Sequence, residues 1–186
     1  MAERKEVRLA GAGNHGMIEA GLILQEAAAI YDDLNAHHVQ SYGPEARSNW
    51  SRSEVIISEG DIDYPKATQL NVLLATTQEA VERYEQDLRP DGTLIVDSEL
   101  DPPAVDSSVV QEGQPKVVAL PLSATAEKLG RAQLVNVVAL GAMVGLSGIV
   151  TRDAIQAAVK DHVPRGGEEL HLQALNAGFD LVSAQS

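Results

Sequence analysis

Six residues, Gly11-Ala12-Gly13-Asn14-His15-Gly16, sit between a short apolar run and an Ala/Leu-rich stretch. A Gly-x-Gly-x-x-Gly turn from strand to helix gives a tight bend, close backbone approach and free N–H groups at a helix N-terminus, where a phosphate or another anion is stabilised. A dinucleotide site also needs an acidic residue at the far end of the second strand to hold the ribose. Here Asp32 and Asp33 precede the predicted second strand, which ends in Gln40-Ser41-Tyr42. The nicotinamide pattern therefore lacks its second half, which leaves a structural turn or a phosphate or partner contact. A stand-alone Rossmann-type nucleotide-binding protein stays as the alternative reading.

A second concentration of chemistry lies in Ser41 to Glu54, which holds Arg47, Arg52, the only tryptophan (Trp50), and several hydroxyl and amide side chains. Loops at strand ends are where ligands and subunits are met. Arg47 and Arg52 suit bidentate recognition of phosphate or carboxylate, and Trp50 suits stacking or a partner's pocket. The competing arrangement pairs Arg47 and Arg52 with Glu45 and Glu54 and uses Trp50 as a core plug. His37 and His38 are adjacent on a strand and face opposite ways, so they cannot chelate one metal together. His15 suits either a helix-entry hydrogen bond or a contact near a phosphate or thioester, the first being preferred. Glu168 and Glu169 read as first-turn acids complementing a helix dipole.

The elements that must position these residues follow from periodicity and breakers. Strands are expected at Val7–Gly11, Ala36–Tyr42, Glu54–Ser58, Asn71–Ala75, Thr93–Val96 and Lys116–Leu120. A polar loop is expected from Gly43 to Ser53, and a turn at Pro90-Asp91-Gly92. The Pro-containing stretch from Asp97 to Pro115 reads as irregular. Helices are expected at Met17–Ile30, Gln78–Leu88, Ala124–Leu129 and Val135–Leu146, then at Asp153–His162 behind the N-cap Thr151, and at Glu168–Asn176 ending at Gly178. Gly141, Gly145 and Gly148 read as close-packing positions. The alternation predicts one α/β domain over residues 1–186, a three-layer Rossmann-like parallel or mixed sheet with a helical C-terminal portion.

Composition narrows the function. The 186 residues are 44% hydrophobic but include only one Trp, four Tyr and one Phe, a palette of small aliphatics that suits covered strands. Fourteen Lys plus Arg against 27 Asp plus Glu give a net charge of −13, a field that argues against binding nucleic acid or anionic membranes. With no cysteine, the chain cannot supply a thiolate to a zinc site or an iron–sulfur cluster. Its charged start lacks a signal or transit pattern, and Val135–Leu146 falls short of a bilayer span, so a cytoplasmic location without membrane insertion is expected.

The glycine loop is followed by Gln40-Ser41-Tyr42-Gly43-Pro44-Glu45-Ala46-Arg47, then by Arg52-Ser53-Glu54-Val55 and Asp63-Tyr64-Pro65. This order resembles the gamma subunit of 2-oxoacid:ferredoxin oxidoreductases. The similarity continues through Ile95-Val96-Asp97-Ser98 and Asn136 to Ala142 into the tail, covering about Arg4 to Leu181. The Tyr-Gly-Pro-Glu-Ala-Arg form is more similar to the 2-oxoglutarate branch than to the pyruvate branch.

The resemblance implies an accessory subunit of a complex that converts 2-oxoglutarate to succinyl-CoA and CO2 and reduces ferredoxin. It implies thiamine diphosphate and Mg2+ held by alpha and beta chains, and four-iron four-sulfur clusters held by beta and delta chains. No cofactor would be bound by this chain alone. It further implies a scaffold role and a gate for coenzyme A, with coenzyme A or subunit contacts at Gly11, Gly13, Asn14, His15, Gly16, Tyr42, Glu45, Arg47 and Arg52. Two departures stand out. Gly13-Asn14-His15-Gly16 replaces the family's Gly-Gly-Gln-Gly, and Arg47-Ser48-Asn49 followed by Trp50 replaces Arg-Gly-Gly. Either those backbones do not need positive φ or no ligand approaches so closely, and a decayed, purely structural subunit is the corresponding alternative.

Overall fold

The computed structural model describes residues 3–42, 50–100 and 113–184. Six strands form one mixed sheet: β1 (Arg4–Ala12), β2 (Asn35–Tyr42), β3 (Trp50–Ser58), β4 (Leu70–Ala75), β5 (Leu88–Asp97) and β6 (Lys116–Leu120). Their spatial order is β2-β3-β1-β4-β5-β6. β1, β4, β5 and β6 run parallel, whereas β3 is antiparallel to both β1 and β2. The expected alternating rhythm is thus interrupted once, by a β2–β3 hairpin.

Period-2 alternation divides the sheet's side chains between two helical layers. Val7, Leu9, Val55, Ile57, Val72, Leu74, Ile95 and Val118 join the larger core. That core packs beneath α1 (Met17–Glu26), α3 (Leu122–Lys128), α4 (Val135–Ser147), α5 (Arg152–His162) and α6 (Glu168–Ser183). Ala10, Leu73, Ala75, Leu94 and Val96 face the other way, onto α2 (Gln78–Tyr84). The three-layer α/β arrangement with a helical C-terminal portion follows, with α2 as the one helix on its side among the described residues. No helix among them is long and apolar enough to cross a membrane.

Five local expectations shift. β3 starts at Trp50, so Trp50 to Ser53 belong to a strand and not to the loop, because the β1 ladder extends to Ala12↔Trp50. Pro90-Asp91-Gly92 is not a turn ahead of the strand. It forms a bulge inside β5, where Asn71 alone faces Arg89 to Gly92 between the pairs Leu70↔Leu88 and Val72↔Thr93. A Cβ on Gly92 would lie 2.9 Å from the Leu70 carbonyl oxygen, which explains the glycine. The helix from Met17 widens into a π-turn over Ala27–Tyr31, which sets Asp32 to accept from the Thr151 N–H at 2.7 Å and hydroxyl at 2.6 Å. α5 is thereby capped by Thr151, as the sequence suggests, and tied to α1's end. α2 stops at Tyr84, before a 3-10 turn.

The fifth shift concerns Gly178, which is not a helix stop. α6 runs through it to Ser183, and the residue is needed for contact with α4, a helix buried on nearly all sides. A Cβ on Gly178 would lie 2.1 Å from the Val138 carbonyl oxygen, and one on Gly141 would lie 2.0 Å from that of Leu175. Two helix backbones touch here with glycine on each side. Gly178→Ala should therefore force the helices apart and cost about 1–3 kcal/mol. Gly145→Ala, whose nearest obstacle is the Phe179 ring at 3.2 Å, should cost less. Thermal denaturation of the two variants checks the order.

Candidate functional site

The antiparallel register of β3 on β1 brings the two chemistry-bearing segments to one end of the sheet. Ala10 pairs with Arg52, Gly11 with Ser51 and Ala12 with Trp50, while Tyr42 ends β2 opposite Ser51. Gly11, Gly13, Asn14, His15, Gly16, Tyr42 and Arg52 are therefore neighbours across three strands and the turn that follows β1. Glu45 and Arg47 lie outside the described residues, as do Ser48 and Asn49.

The turn is built mainly by the chain's own contacts. Gly13–His15 form one turn of 3-10 helix, and Gly16 adopts φ 68° before α1. A Cβ on Gly11 would sit 1.9 Å from the Thr76 hydroxyl, and one on Gly16 would sit 2.6 Å from the Asn136 amide nitrogen. Both glycines are explained by residues that pack against them. Asn136 closes the arrangement by donating to the Gly16 carbonyl at 3.4 Å and to Glu19 at 3.2 Å. Asn14 is not at positive φ, because Asp33 alone has that conformation among described non-glycine residues. Replacing a family glycine with Asn14 is thus free of backbone strain. Gly13 and Asn14 remain exposed on the crest.

His15 is half-buried beside that crest. Its Nδ1 is 2.8 Å from the Thr76 hydroxyl. Burial holds its pKa below the ordinary 6.5, outweighing the opposing pull of Asp97. Asp97, itself buried, accepts from the Ser123 N–H at 2.8 Å and the Glu99 N–H at 3.3 Å. The helix-entry hydrogen bond preferred from sequence takes the form of a link from the glycine turn to the end of β4. His38 bonds the Ser53 hydroxyl at 2.6 Å, and its pKa is lowered by burial and then by His37. His37 is exposed on the opposite face.

On the α2 side the strands carry charge into the interior. Arg8 and Glu54 are both almost buried and meet at 2.7 Å, and Arg8 also pairs with Asp87 and lies 4.6 Å over the Tyr84 ring. Arg52 reaches Glu54 only at 3.7 Å and stands 5.7 Å over the same ring. The anticipated Arg52–Glu54 pair is present, but Glu54's tighter partner is Arg8. Trp50 is half-buried and covered by Arg83 at 4.9 Å. Beneath it a small apolar crevice of about 10 Å³, between Gly11, Ser51, Ala80 and Tyr84, has room for roughly one water molecule.

Sequence reasoning missed Thr76, Arg83, Tyr84 and Asp97 as parts of this region. Thr76 and Asp97 each sit at the C-terminal end of a parallel strand, where open α/β sheets present their ligand-facing side chains. That position was the available signal. What the region offers is an exposed polar crest, a neutral imidazole and guanidinium groups at the margin. It offers no assembled nucleophile and base, and no group of three metal-binding side chains occurs among the described residues.

Residues 6–181 match the family described as pyruvate ferredoxin/flavodoxin oxidoreductase. The chain is 42% identical over 180 residues to the 2-oxoglutarate synthase subunit KorC of Methanothermobacter thermautotrophicus, covering 96% of this chain and 95% of that one. It is 42% identical to the gamma subunit of a keto/oxoacid ferredoxin oxidoreductase from Geobacter sulfurreducens, with a TM-score of 0.84 and 98% of each chain covered. A 2-oxoglutarate:ferredoxin oxidoreductase from Magnetococcus marinus, solved with 2-oxoglutarate, coenzyme A and succinyl-CoA bound, superposes with a TM-score of 0.84 over 99% of this chain and 32% of its own. At 21% identity, that likeness establishes the shared fold.

Two outcomes follow from the geometry. Glu54→Ala should cost about 3 kcal/mol, the low end for breaking a buried ion pair, since Arg8 loses its buried carboxylate but keeps the more exposed Asp87, and denaturant unfolding measures the loss. His15 resists protonation in the folded chain, whereas the unfolded chain takes the proton near pH 6.5. Its contribution to stability should therefore be intact above about pH 6.5, fall as the pH drops towards the lowered folded value, and level off below it. An NMR titration of the His15 ring with a midpoint at or above 6.5 would contradict this.

Proposed function

The chain belongs to the pyruvate ferredoxin/flavodoxin oxidoreductase family, and from that premise we propose that it is the gamma-type subunit of a 2-oxoglutarate:ferredoxin oxidoreductase. The complex would convert 2-oxoglutarate and coenzyme A to succinyl-CoA and CO2 in the cytoplasm while reducing ferredoxin. The observation that carries this reading is the match along 96% of the chain to a 2-oxoglutarate synthase subunit at 42% identity. The nucleotide-dependent alternative is not favoured. β1 has an antiparallel neighbour where a dinucleotide fold has its second parallel strand, and Asp32 is occupied in holding Thr151, the N-cap of α5.

Within such a complex the chain acts as a non-catalytic unit spanning residues 1–186. Iron–sulfur clusters do not fit its donor set, since it has no thiolate, so these belong to beta- and delta-type partners. Thiamine diphosphate with its Mg2+ belongs to alpha- and beta-type partners and supplies the carbanion chemistry of decarboxylation. This chain's own residues orient and admit. The exposed crest of Gly13 and Asn14, with His15 beside it and Arg52 one strand away, presents donors and positive charge suited to the phosphates of coenzyme A. Tyr42, Glu45 and Arg47 are further proposed contacts with coenzyme A or a partner subunit, carried by the resemblance alone. Gly11 and Gly16 contribute by shaping the turn against Thr76 and Asn136.

A tagged copy purified from its native host should bring down cysteine-bearing and thiamine-diphosphate-binding chains. The assembly should reduce ferredoxin with 2-oxoglutarate and coenzyme A at a kcat/KM at least about tenfold above that with pyruvate. A preference for pyruvate would move the chain to another branch of the family. Turnover by the isolated chain would overturn the accessory role.

A further inference from the structure

β2 is the last strand on its side of the sheet, hydrogen-bonded to β3 and to no other strand among the described residues. The outward N–H and C=O groups of such a strand are a template for another chain, so edges are ordinarily blunted by brevity, lysine, proline or a bulge. The opposite edge has these features. β6 is five residues long, begins with Lys116 and follows Pro115. β2 has none of them. It runs for eight residues without lysine or proline, and its register is unbroken from Asn35↔Ser58 to Tyr42↔Ser51.

The surroundings of this edge are chemically defined. At its Asn35 end, Asp33 and Glu59 are exposed carboxylates without an ion pair among the described residues. The segment leading from α1 into β2 exposes Ile30 at 69% and Tyr31 at 38%. A second copy of the chain would bring its own −13 charge to the same place and be repelled. A basic partner is drawn in.

We propose that the outer edge of β2 is an interaction surface that takes an extended segment of another subunit as a seventh strand, with a lysine or arginine of that segment passing Asp33 and Glu59. Main-chain hydrogen bonds supply the affinity, and the acidic end fixes the direction in which the segment lies. The proposal rests on the subunit reading above, and it names a contact surface remote in sequence from the glycine turn.

Hydrogen exchange of residues 35–42, measured in the purified chain and in the intact complex, is the test. About half of the β2 amides, those facing outward, should exchange roughly tenfold or more slowly in the complex, while β3 amides stay protected in both. The doubly substituted chain Asp33→Asn, Glu59→Lys, whose changes lie at exposed positions and keep a residue that tolerates the positive φ of position 33, should keep its circular dichroism. It should join the complex at least about tenfold more weakly at low salt, with the difference shrinking at high salt. An assembled complex with β2 exchanging as fast as in the isolated chain overturns the edge proposal and leaves the subunit reading standing. Protection that rises with the concentration of the isolated chain overturns it in favour of self-pairing. A chain that recruits no other subunit overturns both.

Discussion

Arg8 and Glu54 meet across β1 and β3 with almost no exposure to solvent, and their pairing admits one register of the two strands. Because side chains alternate between faces, a slip of a single residue would turn Glu54 into the apolar layer beneath α1 and bring Val55 out among charges. A carboxylate without its guanidinium in that layer would be heavily penalised. The same register sets Arg52 beside Ala10 and Trp50 beside Ala12. The convergence of the glycine turn with the start of β3 is therefore a consequence of a charge pair lying two residues further along the strand.

The glycine turn shows how a sequence pattern can be retained for a different physical reason. In a dinucleotide site, glycines let the backbone approach a pyrophosphate. Here the space at Gly11 is taken by the Thr76 hydroxyl and that at Gly16 by the Asn136 side chain. Close approach is still what demands glycine, but it is approach by the protein's own β4 end and α4 start. The positions between them carry no such constraint, which is why Asn14 and His15 stand there without strain. The polar face that results is small, with a half-buried imidazole beside it and an arginine at its margin.

The chain is acidic and free of cysteine, and several contacts hold its layers in one arrangement. Its helices α4 and α6 touch through glycine, which keeps the C-terminal layer thin and rigid. The π-turn at Ala27–Tyr31 and the Asp32–Thr151 contact tie α1's end to α5. One face of the sheet carries five helices and the other one described helix, so the two faces present different surfaces to whatever surrounds them.

The sequence alone determined the α/β class, the strands and most helix starts, because these depend on local periodicity and on capping residues such as Thr151. It also carried the resemblance that the comparisons bear out, since order and spacing of short motifs survive without any knowledge of their positions in space. It placed Gly178 at a helix end and Pro90 to Gly92 at a strand boundary, because Gly, Pro and Asp locally favour such places, and it placed Trp50 and Arg52 in a loop because the residues around them are polar. Tertiary contacts decided otherwise. The β1 ladder recruited Trp50 into a strand, a helix backbone pressed against Gly178, and the Leu70 carbonyl lay against Gly92. No local rule reports that Arg8 finds Glu54 forty-six residues later, or that Thr76 fills the space beside Gly11. Pairings across that separation are fixed only when the chain closes on itself, and they are what make the end of this sheet a site.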